Sequence, residues 1–308
     1  MRPLGHAGPD VFPVCLGGNV FGWTADEAES AAVLDAYTEA GGNFIDTANS
    51  YLVEHGRSET IIGRWLAARN ERGRLVIATK VGGGGDPELR NLRAPTIAAE
   101  ARASLARLQT DYIDLYYAHF DDEHTPLEET LRALDLLVRE GLVRQLGASN
   151  YTPERLTAAL KMQRELGLAE FTALQPHYNL VERAYEQTLA PVAAAWNLAV
   201  LPYFALASGF LTGKYRPGAA AGDSPRAGSA AACLERGGAA VLDALDAISA
   251  AHGAPVPAVA LAWLRAKPQI CAPIASARTV KQLEAALPAA TLELSPDDLA
   301  MLDASRAA

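Results

Sequence analysis

The sequence predicts an α/β fold, a single (β/α)8 TIM barrel with a long loop after strand seven and a C-terminal helix. Short apolar runs alternate with helical patterns from residue 14 onward, which is the signature of repeated β–α units. Several of these runs end in a polar residue that can carry or steer a proton. Reactive side chains at successive strand ends are typical of a parallel barrel, whose active site lies at the carboxyl ends of its strands.

Eight strands are predicted, at residues 14–17, 43–46, 75–79, 113–118, 143–148, 171–174, 199–202 and 270–274. Helices are predicted at residues 25–40, 58–67, 96–108, 127–139, 153–166, 184–196, 239–251, 256–266, 280–287 and 296–304. Gly41 and Gly42 end the first helix, and Thr152 before Pro153 is a helix N-cap. The segment from Tyr203 to about residue 238 is rich in Gly, Ala, Pro and Ser, and this composition predicts a mobile loop.

Chain length and net charge limit which classes of protein are possible. A chain of 308 residues suits one barrel domain, residues 1–308, and no interdomain linker interrupts it. The formal net charge is -9 and no block of Lys or Arg occurs, which argues against a nucleic-acid or anionic-membrane partner.

The sequence predicts a cytoplasmic protein. Residues 1–10 lack the apolar core of a signal peptide, and no apolar stretch approaches the ~20 residues needed to span a bilayer. Cys15, Cys233 and Cys271 are odd in number and widely spaced, which suits neither a disulfide framework nor a metal motif. We predict that they are small buried residues.

Four polar residues lie at or near the ends of the second, third and fourth predicted strands. Asp46 ends the second strand, with Tyr51 five residues further on, while Lys80 and His119 follow the third and fourth strands. Each residue alone is explained as readily by a surface or loop position. Because the carboxyl ends of parallel strands meet at one end of a barrel, their coincidence favours one shared pocket.

These four residue types suit proton transfer to a carbonyl oxygen. An ordinary phenol has a pKa of about 10, so Tyr51 needs a neighbouring positive charge to stabilise its anion. Lys80 can supply that charge, and Asp46 can hold the ammonium at an apolar strand end. His119 can hydrogen-bond a substrate carbonyl and set its direction.

Five segments, in order along nearly the whole chain, resemble the aldo-keto reductase family. They are residues 46–51 (DTANSY), 79–80 (TK), 114–119 (DLYYAH), 147–150 (GASN) and 209–215 (GFLTGKY). The resemblance is strongest to the bacterial branch related to the potassium-channel β subunits. It implies NADPH bound in extended form across the barrel mouth without a Rossmann motif, and a catalytic tetrad of Asp46, Tyr51, Lys80 and His119.

The resemblance also implies how the nicotinamide end of NADPH is held. Ser149, Asn150 and Gln175 would bind the carboxamide. Tyr203 would stack on the nicotinamide ring and leave its other face open for hydride transfer.

The same resemblance implies contacts to the phosphates. The pyrophosphate would lie under a strap after strand seven that includes Leu206, Ser208, Gly209 and Lys214. Arg278 and Gln282 would bind the adenosine 2′-phosphate, since a guanidinium suits a phosphate, and this favours NADPH over NADH. The chain departs from the family pattern at 204–205 (FA for SP) and 285–286 (AA for EN), which puts cofactor affinity rather than chemistry in question.

Five apolar residues in predicted loops are candidates for the substrate-binding wall: Phe21, Trp23, Val53, Phe120 and Phe210. Loop packing explains any one of them equally well. Together they indicate an aromatic-lined mouth for aldehydes, ketones or sugars with an apolar face. The predicted function is therefore NADPH-dependent reduction of an aldehyde or ketone to an alcohol.

Two other functions stay open. A cofactor-loaded barrel could serve as a redox-sensing, partner-binding protein with little turnover, as the β-subunit relatives suggest. Residues 119–124 (HFDDEH) could hold a metal in a barrel hydrolase, but no second acidic cluster ends another strand and Lys80 would repel a cation. The sequence therefore predicts no metal site.

Two glycine motifs are rejected as nucleotide-binding loops. The run Gly82-Gly83-Gly84-Gly85 lacks the GxGxxG spacing and no helix opens after it, so it is predicted to be a loop. Residues 209–215 are one residue too short for a Walker loop and have Tyr215 where Ser or Thr would bind magnesium.

Overall fold

The computed structural model describes residues 1–5, 8–51, 54–84, 86, 88, 90–216, 227–235 and 237–305. The strands are β1 Arg2–Pro3, β2 Asp10–Val11, β3 Cys15–Gly17, β4 Phe44–Asp46, β5 Val76–Val81, β6 Ile113–Ala118, β7 Val143–Ser149, β8 Phe171–Gln175, β9 Ala199–Val200 and β10 Ile274–Ala275. β3 to β10 form one parallel sheet in the order β10-β3-β4-β5-β6-β7-β8-β9. The predicted (β/α)8 barrel is confirmed.

Backbone hydrogen bonds join the two edges of this sheet. The Val200 N–H donates to the Gln269 carbonyl at 2.9 Å, and the Cys271 N–H donates to the Val200 carbonyl at 2.8 Å. The Ile274 N–H then donates to the Pro202 carbonyl at 2.9 Å, just where β10 begins to pair with β3. The segment before β10 therefore closes the barrel.

Helices pack around the sheet. They are α1 Glu27–Glu39, α2 Arg57–Arg69, α3 Ala94–Leu108, α4 Leu127–Arg139, α5 Pro153–Glu165, α6 Ala190–Ala195, α7 Ala227–Glu235, α8 Ala239–His252, α9 Val256–Arg265, α10 Val280–Ala286 and α11 Pro296–Ala304. Thr152 caps α5 as predicted, its hydroxyl accepting from the Arg155 N–H at 3.2 Å. Such caps satisfy backbone donors that the first helical turn leaves unpaired.

The structure differs from the predicted elements in four places. The predicted helix at 184–196 is shortened to α6 because Pro191 lacks the N–H that a longer helix would need, and a 3₁₀ turn occupies 184–186. The last predicted strand pairs with β3 only from Ile274 onward. The short hairpin of β1 and β2 was not predicted. α7 lies where a loop was predicted, since composition hid the helix propensity of its alanines.

Some expectations fall outside the described residues or remain untested. Residues 217–226 of the predicted mobile loop lie outside the described residues, as does Val53. That the chain forms a single domain stays a prediction. Among the described residues no single helix is long and apolar enough to cross a membrane, although α8 and α9, bent by 98°, pass that test as a pair. The three cysteines are free and buried, as predicted.

Strand alternation determines which side chains enter the barrel. Phe44, Ala78 and Tyr117 pack together in the interior cluster, whereas their neighbours Ile45 and Ile77 pack in a separate cluster that includes residues of α1 and α2. Successive strand residues point to opposite faces, so every second position from these interior residues also faces inward. The polar residues at the strand ends are placed by this rule.

A glycine sets the approach of α2 to α3. A Cβ added to Gly63 in α2 would lie 2.0 Å from the Arg107 carbonyl oxygen and 2.8 Å from the Leu108 backbone. Neither backbone atom can swing aside as a flexible side chain could. The close approach lets α3 side chains reach the loop between β4 and α2.

Replacing Gly63 by Ala is expected to destabilise the protein by roughly 1–3 kcal/mol, because the added methyl group must force the two helices apart. Urea denaturation followed by circular dichroism measures the change. Gly73→Ala is the matched control, since apart from its chain neighbours no atom of the described residues lies within 4 Å of the added Cβ. Equal urea midpoints for the two variants would show that the helix contact does not constrain the fold.

Candidate active site

Four predicted site residues meet at the carboxyl end of the barrel. Asp46 is the last residue of β4, Lys80 lies near the end of β5, and His119 directly follows β6. Alternation from the interior residues Phe44, Ala78 and Tyr117 turns all three toward the barrel axis. Tyr51, on the loop between β4 and α2, reaches the same place.

Lys80 is fully buried, and its ammonium group uses all three of its N–H donors. Nζ donates to Asp46 Oδ1 at 2.6 Å, to the Thr47 carbonyl at 2.6 Å and to Tyr51 Oη at 2.9 Å. A buried charge without partners would be costly, and here the Asp46 carboxylate and two further oxygens compensate it. Lys80 therefore fixes the position of the phenol.

The Tyr51 hydroxyl lies between the two charges. Its proton is donated to Asp46 Oδ1 at 3.1 Å while its oxygen accepts from Lys80. Burial raises the pKa of Tyr51 well above its ordinary value, and the adjacent Asp46 carboxylate raises it further. The sequence predicted a phenol made more acidic by Lys80, but the Lys80 charge is already matched by Asp46. Tyr51 thus keeps its proton at neutral pH.

His119 is neutral at neutral pH. Burial lowers its pKa to about 3, and the nearby Lys80 ammonium contributes to this decrease. Its ring lies edge-on to Tyr51 with centroids 6.4 Å apart, and its Nδ1 lies 3.3 Å from Ser50 Oγ. A neutral imidazole beside the phenol can act as a hydrogen-bond donor to a bound ligand.

A cleft of about 1410 Å³ opens above the tetrad. Ser149, Asn150, Gln175 and Tyr203 line it, and that they bind a nicotinamide stays a prediction. Gln175 Nε2 donates to Asp46 Oδ2 at 2.8 Å, so this side chain is tied to the tetrad.

Tyr203 presents an aromatic ring to the cleft. Its hydroxyl donates to Asn150 Oδ1 at 2.9 Å, and the His177 ring stacks against it with centroids 5.3 Å apart and planes 16° apart. Asn150 Nδ2 in turn donates to the His119 carbonyl at 2.8 Å. The ring is therefore held from two sides.

The far end of the cleft carries positive charge. Leu206, Ser208, Gly209 and Lys214 of the predicted strap line it, together with Arg278 and Gln282. Lys214 Nζ lies 3.6 Å from where a Cβ on Gly209 would be. Gln282 Oε1 accepts from the backbone N–H of Arg278 at 3.0 Å, and no partner of the Arg278 guanidinium is found in the described part of the chain.

The predicted substrate wall is only partly present. Trp23 and Phe120 line the cleft, and the Phe120 ring lies 4.9 Å from that of His119. The predictions for Phe21 and Phe210 were wrong, because both side chains are buried in core clusters at 3% and 0% exposure. Phe210 packs so closely on the start of α8 that a Cβ on Gly238 would meet its ring at 2.7 Å.

The carboxylates proposed as an alternative metal site have structural partners. Asp121 pairs with Arg155 at 2.9 Å, and Asp122 accepts from the Leu92 N–H and from the Thr125 hydroxyl. Among the described residues, no group of three or more His, Cys, Asp or Glu side chains is arranged to hold a metal ion.

Sequence reasoning missed a polar cluster that anchors the Tyr51 loop. Glu100 of α3 accepts from Asn49 Nδ2 at 2.7 Å and lies 2.8 Å from His55 Nε2. Arg107 lies further along α3 and binds the buried Glu59 at 2.6 Å. The loop is thus held on both sides of Tyr51. Glu100, an acidic residue in the middle of an amphipathic helix, was the sequence feature that could have indicated this cluster.

Comparison with known proteins agrees with this arrangement. The model of the aldo/keto reductase family matches residues 13–307. An aryl-alcohol dehydrogenase of Pestalotiopsis microspora is 31% identical over 94% of this chain and 77% of its own. The uncharacterized oxidoreductase YrpG of Bacillus subtilis is 34% identical over 97% and 94%, and norsolorinic acid reductase stcV of Emericella nidulans is 33% identical over 97% and 79%. The chain belongs to the aldo/keto reductase family.

Proposed function

We propose that the protein reduces an aldehyde or ketone to an alcohol, with NADPH as the source of hydride and Tyr51 as the source of the proton. The observation that carries this proposal is the contact of Lys80 Nζ with both Tyr51 Oη and Asp46 Oδ1, at 2.9 and 2.6 Å, beneath an open cleft. Family membership supports carbonyl reduction as the reaction class.

Tyr51 acts as the general acid. Its raised pKa keeps the proton in place until negative charge develops on the substrate oxygen, which then competes with Asp46 for that proton. Lys80 already donates to the phenol oxygen, so it stabilises the phenolate as the proton leaves. Asp46 holds Lys80 in this position.

His119 orients the carbonyl. As a neutral imidazole it offers one N–H to the substrate oxygen without adding a second positive charge beside Lys80. Its ring lies edge-on to that of Tyr51 with centroids 6.4 Å apart, and both residues line the same cleft. The carbonyl oxygen would accept from both.

The cleft fits a nicotinamide cofactor. NADPH supplies the hydride when bound. Tyr203 offers a ring for stacking that contacts with His177 and Asn150 hold in place. The Asn150 side chain lies beside it to bind the carboxamide. Lys214 and the unpaired guanidinium of Arg278, within the described part of the chain, suit the pyrophosphate and the 2′-phosphate.

Aromatic carbonyl compounds are the substrate class we propose. Trp23 and Phe120 line the cleft together with His119 and Tyr51. Two relatives are named for aryl-alcohol oxidation and for reduction of norsolorinic acid. Flat apolar walls next to a proton donor favour a ring-bearing aldehyde or ketone.

Turnover distinguishes this function from redox sensing. Because the tetrad side chains contact one another and the cleft is open, we expect many NADPH molecules to be oxidised per protein in the presence of an aromatic aldehyde. A single slow turnover without product release would support the sensor instead.

Replacing Tyr51 by Phe is expected to reduce kcat for aldehyde reduction by about 10²–10⁴-fold, because the variant lacks the acid. NADPH binding, measured by fluorescence titration, should be unchanged. Tyr185→Phe is a matched control, since that buried hydroxyl has no hydrogen-bond partner among the described residues and Tyr185 does not line the cleft. Full activity of the Tyr51 variant would refute the assignment.

Replacing Arg278 by Ala is expected to weaken NADPH binding by at least about tenfold while changing NADH binding little, because only NADPH has the 2′-phosphate. Dissociation constants for both cofactors measure the effect. Arg132→Ala, an exposed arginine paired with Glu128 on α4, is the control. Equal loss for the two cofactors would contradict a 2′-phosphate contact.

The pH dependence of kcat/KM for the aldehyde, at saturating NADPH, should show no titration of His119 between pH 5 and 8. A pKa of about 3 means that His119 loses its proton well below this range, and the raised pKa of Tyr51 keeps the phenol protonated throughout it. Activity should therefore not decrease across this pH range through protonation of His119 or deprotonation of Tyr51. A step near pH 6.5 that disappears in His119→Asn would be inconsistent with this state.

A further inference from the structure

Gly83 and Gly84, in the loop after β5, pack against the contact between Ser50 and His119. A Cβ added to Gly83 would lie 2.3 Å from His119 Nδ1 and 2.7 Å from Ser50 Oγ, and one added to Gly84 would lie 2.9 Å from Ser50 Cβ. Gly82 and Gly84 have φ of +82° and +100°, which favour glycine. Gly83 and Gly84, of the run rejected as a phosphate loop, are thus packed closely against this pair.

The hydroxyl and the ring nitrogen lie 3.3 Å apart, within hydrogen-bond distance. Among the described residues, no other partner is found for Ser50 Oγ or His119 Nδ1, and none for His119 Nε2. Ser50 precedes Tyr51 directly, so one short loop carries the proton donor and the group that touches His119. Nε2 is the ring nitrogen left to meet a ligand in the cleft.

A neutral imidazole has one N–H and one lone pair, and a bond at one nitrogen determines which of them the other nitrogen presents. If Nδ1 bore the hydrogen, Nε2 would direct a lone pair at the substrate oxygen. The lone pairs of the two atoms would then repel each other. If Nδ1 accepts from a hydroxyl, Nε2 carries the hydrogen and can donate.

We propose that Ser50 is a positioning residue that donates to His119 Nδ1 and so keeps the hydrogen on Nε2, with Gly83 allowing the two groups to meet. The value of this tautomer to catalysis rests on the proposed function, in which His119 donates to the carbonyl. The tautomer itself does not depend on turnover.

The test is ¹⁵N–¹H NMR of the full-length protein labelled at histidine, with the His119 signals assigned from His119→Asn. The native protein should show the hydrogen on Nε2. Ser50→Ala should populate the Nδ1–H form and lower kcat for aldehyde reduction by about tenfold, while leaving the Kd for NADPH unchanged. Ser50→Thr retains the hydroxyl and should retain the tautomer.

Ser305→Ala, at the end of α11, is the control for loss of a serine hydroxyl elsewhere. An unchanged Nε2–H form in Ser50→Ala would overturn the proposal, even if the native protein is an active reductase. A shift of tautomer in a protein that reduces no carbonyl compound would support the Ser50 contact and refute the proposed function instead.

Discussion

The buried ion pair between Lys80 and Asp46 is the interaction on which the rest of the site depends. An ammonium group with no exposed surface must be fully compensated, and three oxygens at 2.6–2.9 Å do so. One of these oxygens belongs to Tyr51, so satisfying the charge also fixes the phenol. The phenol is not acidified, because burial raises the pKa of Tyr51 and the Asp46 carboxylate raises it further.

The barrel imposes a second constraint, which is space. Inward-facing positions at the strand ends are crowded, and the Tyr117 and His119 rings each lie against a glycine. A Cβ on Gly147 would lie 2.5 Å from the Tyr117 ring below the tetrad, and Gly83 lies against both Ser50 and His119 in the same way. These glycines are required by the close approach of backbone to neighbouring side chains, rather than by nucleotide binding.

The local sequence pattern predicted the strands and the residues at their ends, because these depend mainly on nearby residues. Short apolar runs located the strands, and the strand ends located Lys80 and His119 at one site. Contacts between distant segments decided the rest. Phe21 and Phe210 were misassigned because a loop aromatic is equally consistent with a substrate wall and with the core, and the pKa of Tyr51 depends on burial that the sequence does not reveal.

The central claim is that Lys80 and Tyr51 act as one unit in proton donation. A double-mutant cycle of Lys80→Met and Tyr51→Phe, measured as kcat/KM for one aromatic aldehyde at saturating NADPH, tests it most directly. We predict that the double variant is no slower than the slower single variant, because either change removes the same proton transfer. If the two losses instead multiply, the residues act independently and the account is contradicted.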